Sequence, residues 1–80
     1  MTTVRVRLFA AAREAAGRSQ LEVDAPDVGA LFDTLTARHP DLGRVLTHCS
    51  VLIDGRRTTD RATPLTDGLT VDVLPPYAGG

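Results

Sequence analysis

The apolar residues of this chain change their spacing twice, and that change limits the folds open to it. Val4, Val6 and Leu8 recur at every second residue, with Arg5 and Arg7 between them. Val28, Leu31, Phe32 and Leu35 then recur at i, i+3, i+4 and i+7, and Leu69, Val71 and Val73 return to period two. Period two turns one face of a strand toward a core, and a period near 3.6 lays an apolar stripe along a helix. Strands near both ends of the sequence with an amphipathic helix between them call for a helix packed on one face of a sheet. The 80 residues leave room for one such domain, because a chain this short buries only ~60% of its unfolded surface.

Punctuation residues divide the remainder. Residues 10–16 are helix formers that end at Gly17, a fitting C-terminal stop. Leu21 and Val23 alternate with Glu22 and Asp24 as a second strand. Asp27, just after Pro26, suits a helix N-cap, and His39–Pro40 closes the long helix. Leu42, Val45 and Leu46 suit either a short turn of helix or an irregular link. Residues 51–53 read as a strand, Asp54–Gly55 as a two-residue hairpin turn and residues 56–59 as the returning strand. Thr66, Asp67 and Gly68 form another turn before the last strand. The first and last strands alternate most cleanly, which predicts neighbouring positions at the sheet centre. The order predicts an α+β fold: a β-grasp (ubiquitin-like) roll, with a mixed sheet and one main helix on one face. The domain spans residues 1–74, and residues 75–80 form a flexible tail.

That tail reads Pro75, Pro76, Tyr77, Ala78, Gly79, Gly80. Two prolines stiffen the exit from the last strand and cannot donate ladder hydrogen bonds. Beyond them the chain narrows to almost bare backbone, which can thread a channel in another protein and bend there. A terminal carboxylate is ionised at neutral pH and is a poor electrophile. Adenylation would convert it into a mixed anhydride open to a sulfur or amine nucleophile. A frayed end is the other reading of Gly-Gly; the stiff, tapering approach favours a working tail.

Three segments carry a resemblance. They are Leu8-Phe9-Ala10 with Arg13, Glu14 and Gly17; residues 63–68, Thr-Pro-Leu-Thr-Asp-Gly; and residues 74–80, Leu-Pro-Pro-Tyr-Ala-Gly-Gly. In order and spacing they resemble the MoaD/ThiS family of ubiquitin-like sulfur carriers, in particular the small subunits of molybdopterin synthase. The resemblance implies that an E1-like enzyme adenylates Gly80 with ATP and that a sulfur donor converts it to a thiocarboxylate. It also implies insertion of the tail residues Gly79, Ala78, Tyr77, Pro76 and Pro75 into the large catalytic subunit. Sulfur would pass there to cyclic pyranopterin monophosphate, building the dithiolene of the molybdenum cofactor. Phe9 and Leu74 match apolar positions that dock on the large subunit, and a third such position corresponds to Thr58, polar here. A heterotetramer of two carriers on a dimer of large subunits is implied, with no cofactor bound stably by the carrier itself.

Other residues carry less. Tyr77 stands where relatives have a small aliphatic residue, so its ring would bind in a partner groove or fill the groove's mouth. Gly68, Leu69 and Thr70 stand where many relatives have a glycine and two acids. Arg13 and Glu14 are expected to serve capping and surface pairing, and Arg56 and Arg57 a solvated turn or a contact with an acidic partner. Cys49 lacks a second cysteine and a His–Asp arrangement, so it reads as a small buried hydrophobe. His39 and His48 show no metal-ligand spacing, and no metal site is expected.

Composition removes further classes. Nine basic residues face ten acidic ones, so a nucleic-acid or anionic-membrane binder is not expected. No apolar run approaches the roughly 20 residues of a membrane span, and no signal-peptide core opens the chain, which predicts a soluble cytoplasmic protein. All nine basic residues are arginine, so no side-chain amine is available for a Schiff base or an isopeptide bond. No nucleophile–base pair or carboxylate dyad suggests a stand-alone enzyme. Three alternatives to the molybdenum pathway stay open. They are sulfur transfer toward thiamine thiazole, cysteine or tRNA thiolation, conjugation of Gly80 to lysines of other proteins, and an interaction domain with an inert tail. The helix block of residues 10–17 favours the molybdenum pathway over the shorter thiamine carriers.

Overall fold

In the computed structural model, residues 2–58 and 60–75 are described. The elements run β1 (Thr3–Leu8), α1 (Ala10–Ala16), β2 (Gln20–Asp24), α2 (Val28–Arg38), α3 (Pro40–Leu46), β3 (Ser50–Ile53), β4 (Arg56–Thr58) and β5 (Thr70–Leu74). The strands form one sheet in the order β2-β1-β5-β3-β4. The first and last strands therefore lie next to each other, with β5 in the middle of the sheet. They run parallel, Val6 facing Val71 and Leu8 facing Val73, while every other pair is antiparallel. This is the expected β-grasp roll.

Alternation decides the two faces of the sheet. Val4, Val6 and Leu8 of β1, Leu21 and Val23 of β2, Val71 and Val73 of β5 and Val51 of β3 are buried beneath the helices. Against them pack Ala12 of α1, Val28, Leu31 and Leu35 of α2, and Leu42 and Leu46 of α3. Each fully buried side chain of this size contributes about 1.5–3 kcal/mol relative to exposure. Among the described residues no buried side chain is polar, so the core carries no unpaired charge to offset.

The N-terminus of α2 shows how the loops are held. Asp27 caps it as expected, its carboxylate accepting from the Ala30 N–H at 2.8 Å. The two preceding orphan amides find carbonyls in the loop after β4: Val28 N–H donates to Thr63 at 3.1 Å and Gly29 N–H to Arg61 at 2.8 Å. Three of the four donors left open by helix geometry are thereby satisfied. The segment of Leu42, Val45 and Leu46 is a complete two-turn helix, with Pro40 in its first turn, where a missing N–H costs nothing. Asp54 and Gly55 both have positive φ, 51° and 82°, as a type I′ hairpin turn requires. The returning strand β4 ends at Thr58, and Thr59, expected as its last residue, lies outside the described residues.

Candidate functional site

The outward face of the sheet is built by the residues that alternation leaves over. Asp72 of β5 lies between Arg7 of β1 and Leu52 of β3, and Leu52 in turn faces Arg57 of β4. Directly opposed residues share a face, so these four cross the sheet in one row. Leu74, two residues beyond Asp72, lies on the same side opposite Ser50. Because β1 and β5 are parallel, their C-terminal ends reach the same edge. Leu8 faces Val73, and Phe9 and Leu74 each follow one step further. The predicted pair therefore lies at one end of the sheet, next to Pro75. Phe9 is 38% exposed, the only exposed large apolar side chain among the described residues. Leu74 and Pro75 are half-buried.

An ion pair ties this edge together. Arg7 Nε donates to Asp72 Oδ1 at 2.6 Å and Arg7 Nη2 to Asp72 Oδ2 at 2.9 Å. Both carboxylate oxygens are used in the fork geometry that fixes orientation as well as distance. The hydrogen bonds and charge of Asp72 push the Arg7 pKa up from its ordinary value. The guanidinium carbon lies 5.7 Å from the centroid of the Phe9 ring, within cation–π range. Half of the Arg7 side chain is open to water, so the pair adds little to stability; its effect is to hold the two strands and the ring in one geometry.

One expectation needs correction and two further residues find their place. Thr58 faces Val51 on the helix side of the sheet and shares a hydrogen bond with Thr63, so it does not extend the Phe9–Leu74 surface. Leu52 does extend it, and the sequence reading missed it. The signal was present: three consecutive apolar residues in a strand, Val51, Leu52 and Ile53, must leave one on the opposite face. Arg13 and Glu14 are both exposed, but neither enters an ion pair among the described residues. Arg13 stands instead in the last turn of α1, where a cation suits the helix dipole.

Cys49 is half-buried and its thiol donates to the Val45 carbonyl at 3.2 Å. Burial pushes the thiol pKa up, the opposite of nucleophile activation. It lines a cavity of about 350 Å³ between α2, α3 and the β3–β4 hairpin, together with Phe32, Thr36 and Thr58, on the side of the sheet opposite Phe9. No cluster of His, Cys, Asp and Glu suited to a metal occurs among the described residues. The remaining predicted tail residues, Pro76, Tyr77, Ala78, Gly79 and Gly80, lie outside the described residues.

Comparison with known proteins places this geometry in a family. The ThiS family matches residues 6–80. The chain belongs to the ThiS family. It is 34% identical to small archaeal modifier protein 3 of Haloferax volcanii, covering 96% of this chain and 98% of the relative. The solution structure of small archaeal modifier protein 1 from Methanosarcina acetivorans is 30% identical with a TM-score of 0.88, covering 100% of this chain and 98% of that one. The complex of subunits 1 and 2 of molybdopterin-converting factor from Helicobacter pylori 26695 matches at 25% identity and a TM-score of 0.75, covering 99% of this chain and 100% of the matched chain. As a ThiS-family member the chain is a ubiquitin-like sulfur carrier or modifier. Among the described residues no helix is long and apolar enough to cross a membrane.

Proposed function

We propose that this ThiS-family chain is the sulfur-carrying subunit of molybdopterin synthase. The observation that carries the reading is the placement of Phe9 and Leu74, with Leu52 beside them, on the helix-free face at the root of the tail. A partner that grips this surface meets the chain beside Pro75, five residues before Gly80 in sequence. In this reading an E1-like enzyme uses ATP to adenylate the Gly80 carboxylate. Sulfur from a donor then displaces AMP and leaves a thiocarboxylate. Pro76, Tyr77, Ala78 and Gly79 thread the large subunit, so that the terminal sulfur meets cyclic pyranopterin monophosphate with water excluded. Two such transfers build the dithiolene. ATP belongs to the activating enzyme and no cofactor stays on the carrier. The assembly is a cytoplasmic heterotetramer, two carriers on a dimer of large subunits, and the two-subunit Helicobacter pylori complex supports the pairing.

A second reading is conjugation of Gly80 to lysines of other proteins, favoured by the likeness to the Haloferax volcanii modifier. The decisive experiment uses the chain prepared with a thiocarboxylate at Gly80 and mixed with the large subunit and cyclic pyranopterin monophosphate. Dithiolene product, with the carrier's mass reverting to that of the carboxylate, is the expected result. No product from a folded, fully thiocarboxylated chain overturns the molybdenum assignment. Protein adducts of higher mass in cell extract would then identify the modifier.

A further inference from the structure

Two local rules are broken at adjacent residues where β1 ends. Phe9 occupies the N-cap of α1, with φ −126° and ψ 150° and no side-chain capping bond. Ser, Thr, Asp or Asn there would satisfy one of the orphan amides of the first turn. Ala10 then adopts φ 48°, in the left-handed region where a Cβ is crowded by the following carbonyl. Its methyl group is exposed, so burial of that side chain does not compensate. Natural chains break such rules mainly where function requires it, and strained backbone gathers at binding sites.

The side chain at this junction is the single exposed large apolar one among the described residues. It is also braced from below, by the Arg7 guanidinium 5.7 Å from its ring centroid. Arg7 is fixed in turn by its 2.6 and 2.9 Å bonds to Asp72. We propose that Ala10, together with Arg7 and Asp72, forms a positioning device that holds the Phe9 ring outward at the tail root before any partner arrives. The inference rests on the docking role given to Phe9 above. Its physical advantage is preorganisation: a ring already ordered loses little rotamer freedom on binding. Its cost is the strained Ala10 backbone and the forgone helix cap.

Glycine at position 10 removes the crowding and frees the junction. A residue acting only in folding would change stability and binding in the same direction; a positioning residue moves them in opposite directions. The test compares the full chain with Ala10→Gly, Arg7→Gln and Phe9→Ser. It measures Tm by calorimetry, order of the Phe9 ring by ¹³C relaxation in the free chain, and Kd for the large subunit of molybdopterin synthase by titration calorimetry. Ala10→Gly should raise Tm by about 2–5 °C while lowering ring order and weakening binding about 3–10-fold. Arg7→Gln should lower ring order with a matching loss of affinity. Phe9→Ser should keep its Tm through the new cap and lose binding. A Tm for Ala10→Gly that stays or falls, or a ring as ordered as in the unaltered chain, overturns the positioning device. Equal behaviour of Phe9→Ser and the unaltered chain toward the large subunit, absence of binding included, overturns the docking reading instead. Tm and ring order still judge Ala10 in that case.

Discussion

Replacing Gly43 by alanine sets helix propensity against packing. Gly43 lies inside α3 at its contact with α2. A Cβ at this position would stand 2.6 Å from Thr36 Cγ2, 2.9 Å from its Oγ1 and 3.1 Å from its Cβ. Thr36 cannot turn aside freely, since a β-branched side chain is stiff at χ1 and its hydroxyl donates to the Phe32 carbonyl at 2.8 Å. Alanine gains about 1 kcal/mol of helix propensity over glycine. Forcing a methyl group into a filled contact costs about 1–3 kcal/mol. The clash wins, leaving Gly43→Ala destabilised by about 1 kcal/mol, a fall in Tm of about 4–8 °C for a domain of this size. With Thr36→Ala in place the two closest atoms are gone, and the same Gly43→Ala change should then stabilise the chain. Calorimetry on the four chains of this double-mutant cycle should give a coupling of about 2 kcal/mol between the two positions. Stabilisation by Gly43→Ala in the unaltered background, or additive effects of the two changes, would refute the argument that helix contact dictates this glycine.

Three further outcomes are expected. Deleting Gly79 and Gly80 should abolish adenylation by the activating enzyme while Tm stays within a degree or two; retained adenylation would remove Gly80 from the chemistry. Leu52→Glu alters a side chain on the helix-free face, so binding to the large subunit should weaken roughly tenfold or more, as for an interface hot spot, with the far-ultraviolet circular dichroism unchanged; unaltered affinity would confine the interface to Phe9 and Leu74. Because burial raises the Cys49 pKa, iodoacetamide should alkylate the native thiol more slowly than the denatured one at equal pH, and equal rates would contradict the burial. The folded chain holds that proton more tightly, so the associated stability is present below the ordinary thiol value of 9.0 and declines as pH rises from there through the raised folded value.

Much of the fold was legible because local physics repeats along the chain. Alternation fixed which of Val4, Val6, Leu8, Val71 and Val73 face the core, and Asp27 and Asp54–Gly55 marked a cap and a turn by chemistry that acts within a few residues. The pairing of Phe9 with Leu74 was also legible, through the resemblance, and the parallel β1–β5 register supplies its geometric cause. Less legible was α3, a helix of seven residues, too short for periodicity to separate it from a link.

By itself the sequence determined the elements other than α3, the buried face of each long one and the absence of any lysine. Those features depend on neighbours along the chain. Tertiary structure decided that Leu52 joins the helix-free surface while Thr58 turns toward the helices, because register is set by the partner strand. It decided that Gly43 must lack a side chain, because α2 passes there. It also set the left-handed backbone of Ala10 beneath a Phe9 ring braced by Arg7 and Asp72. Asp72 lies 65 residues from Arg7 in sequence, and a contact at that separation exists only once β1 and β5 have paired.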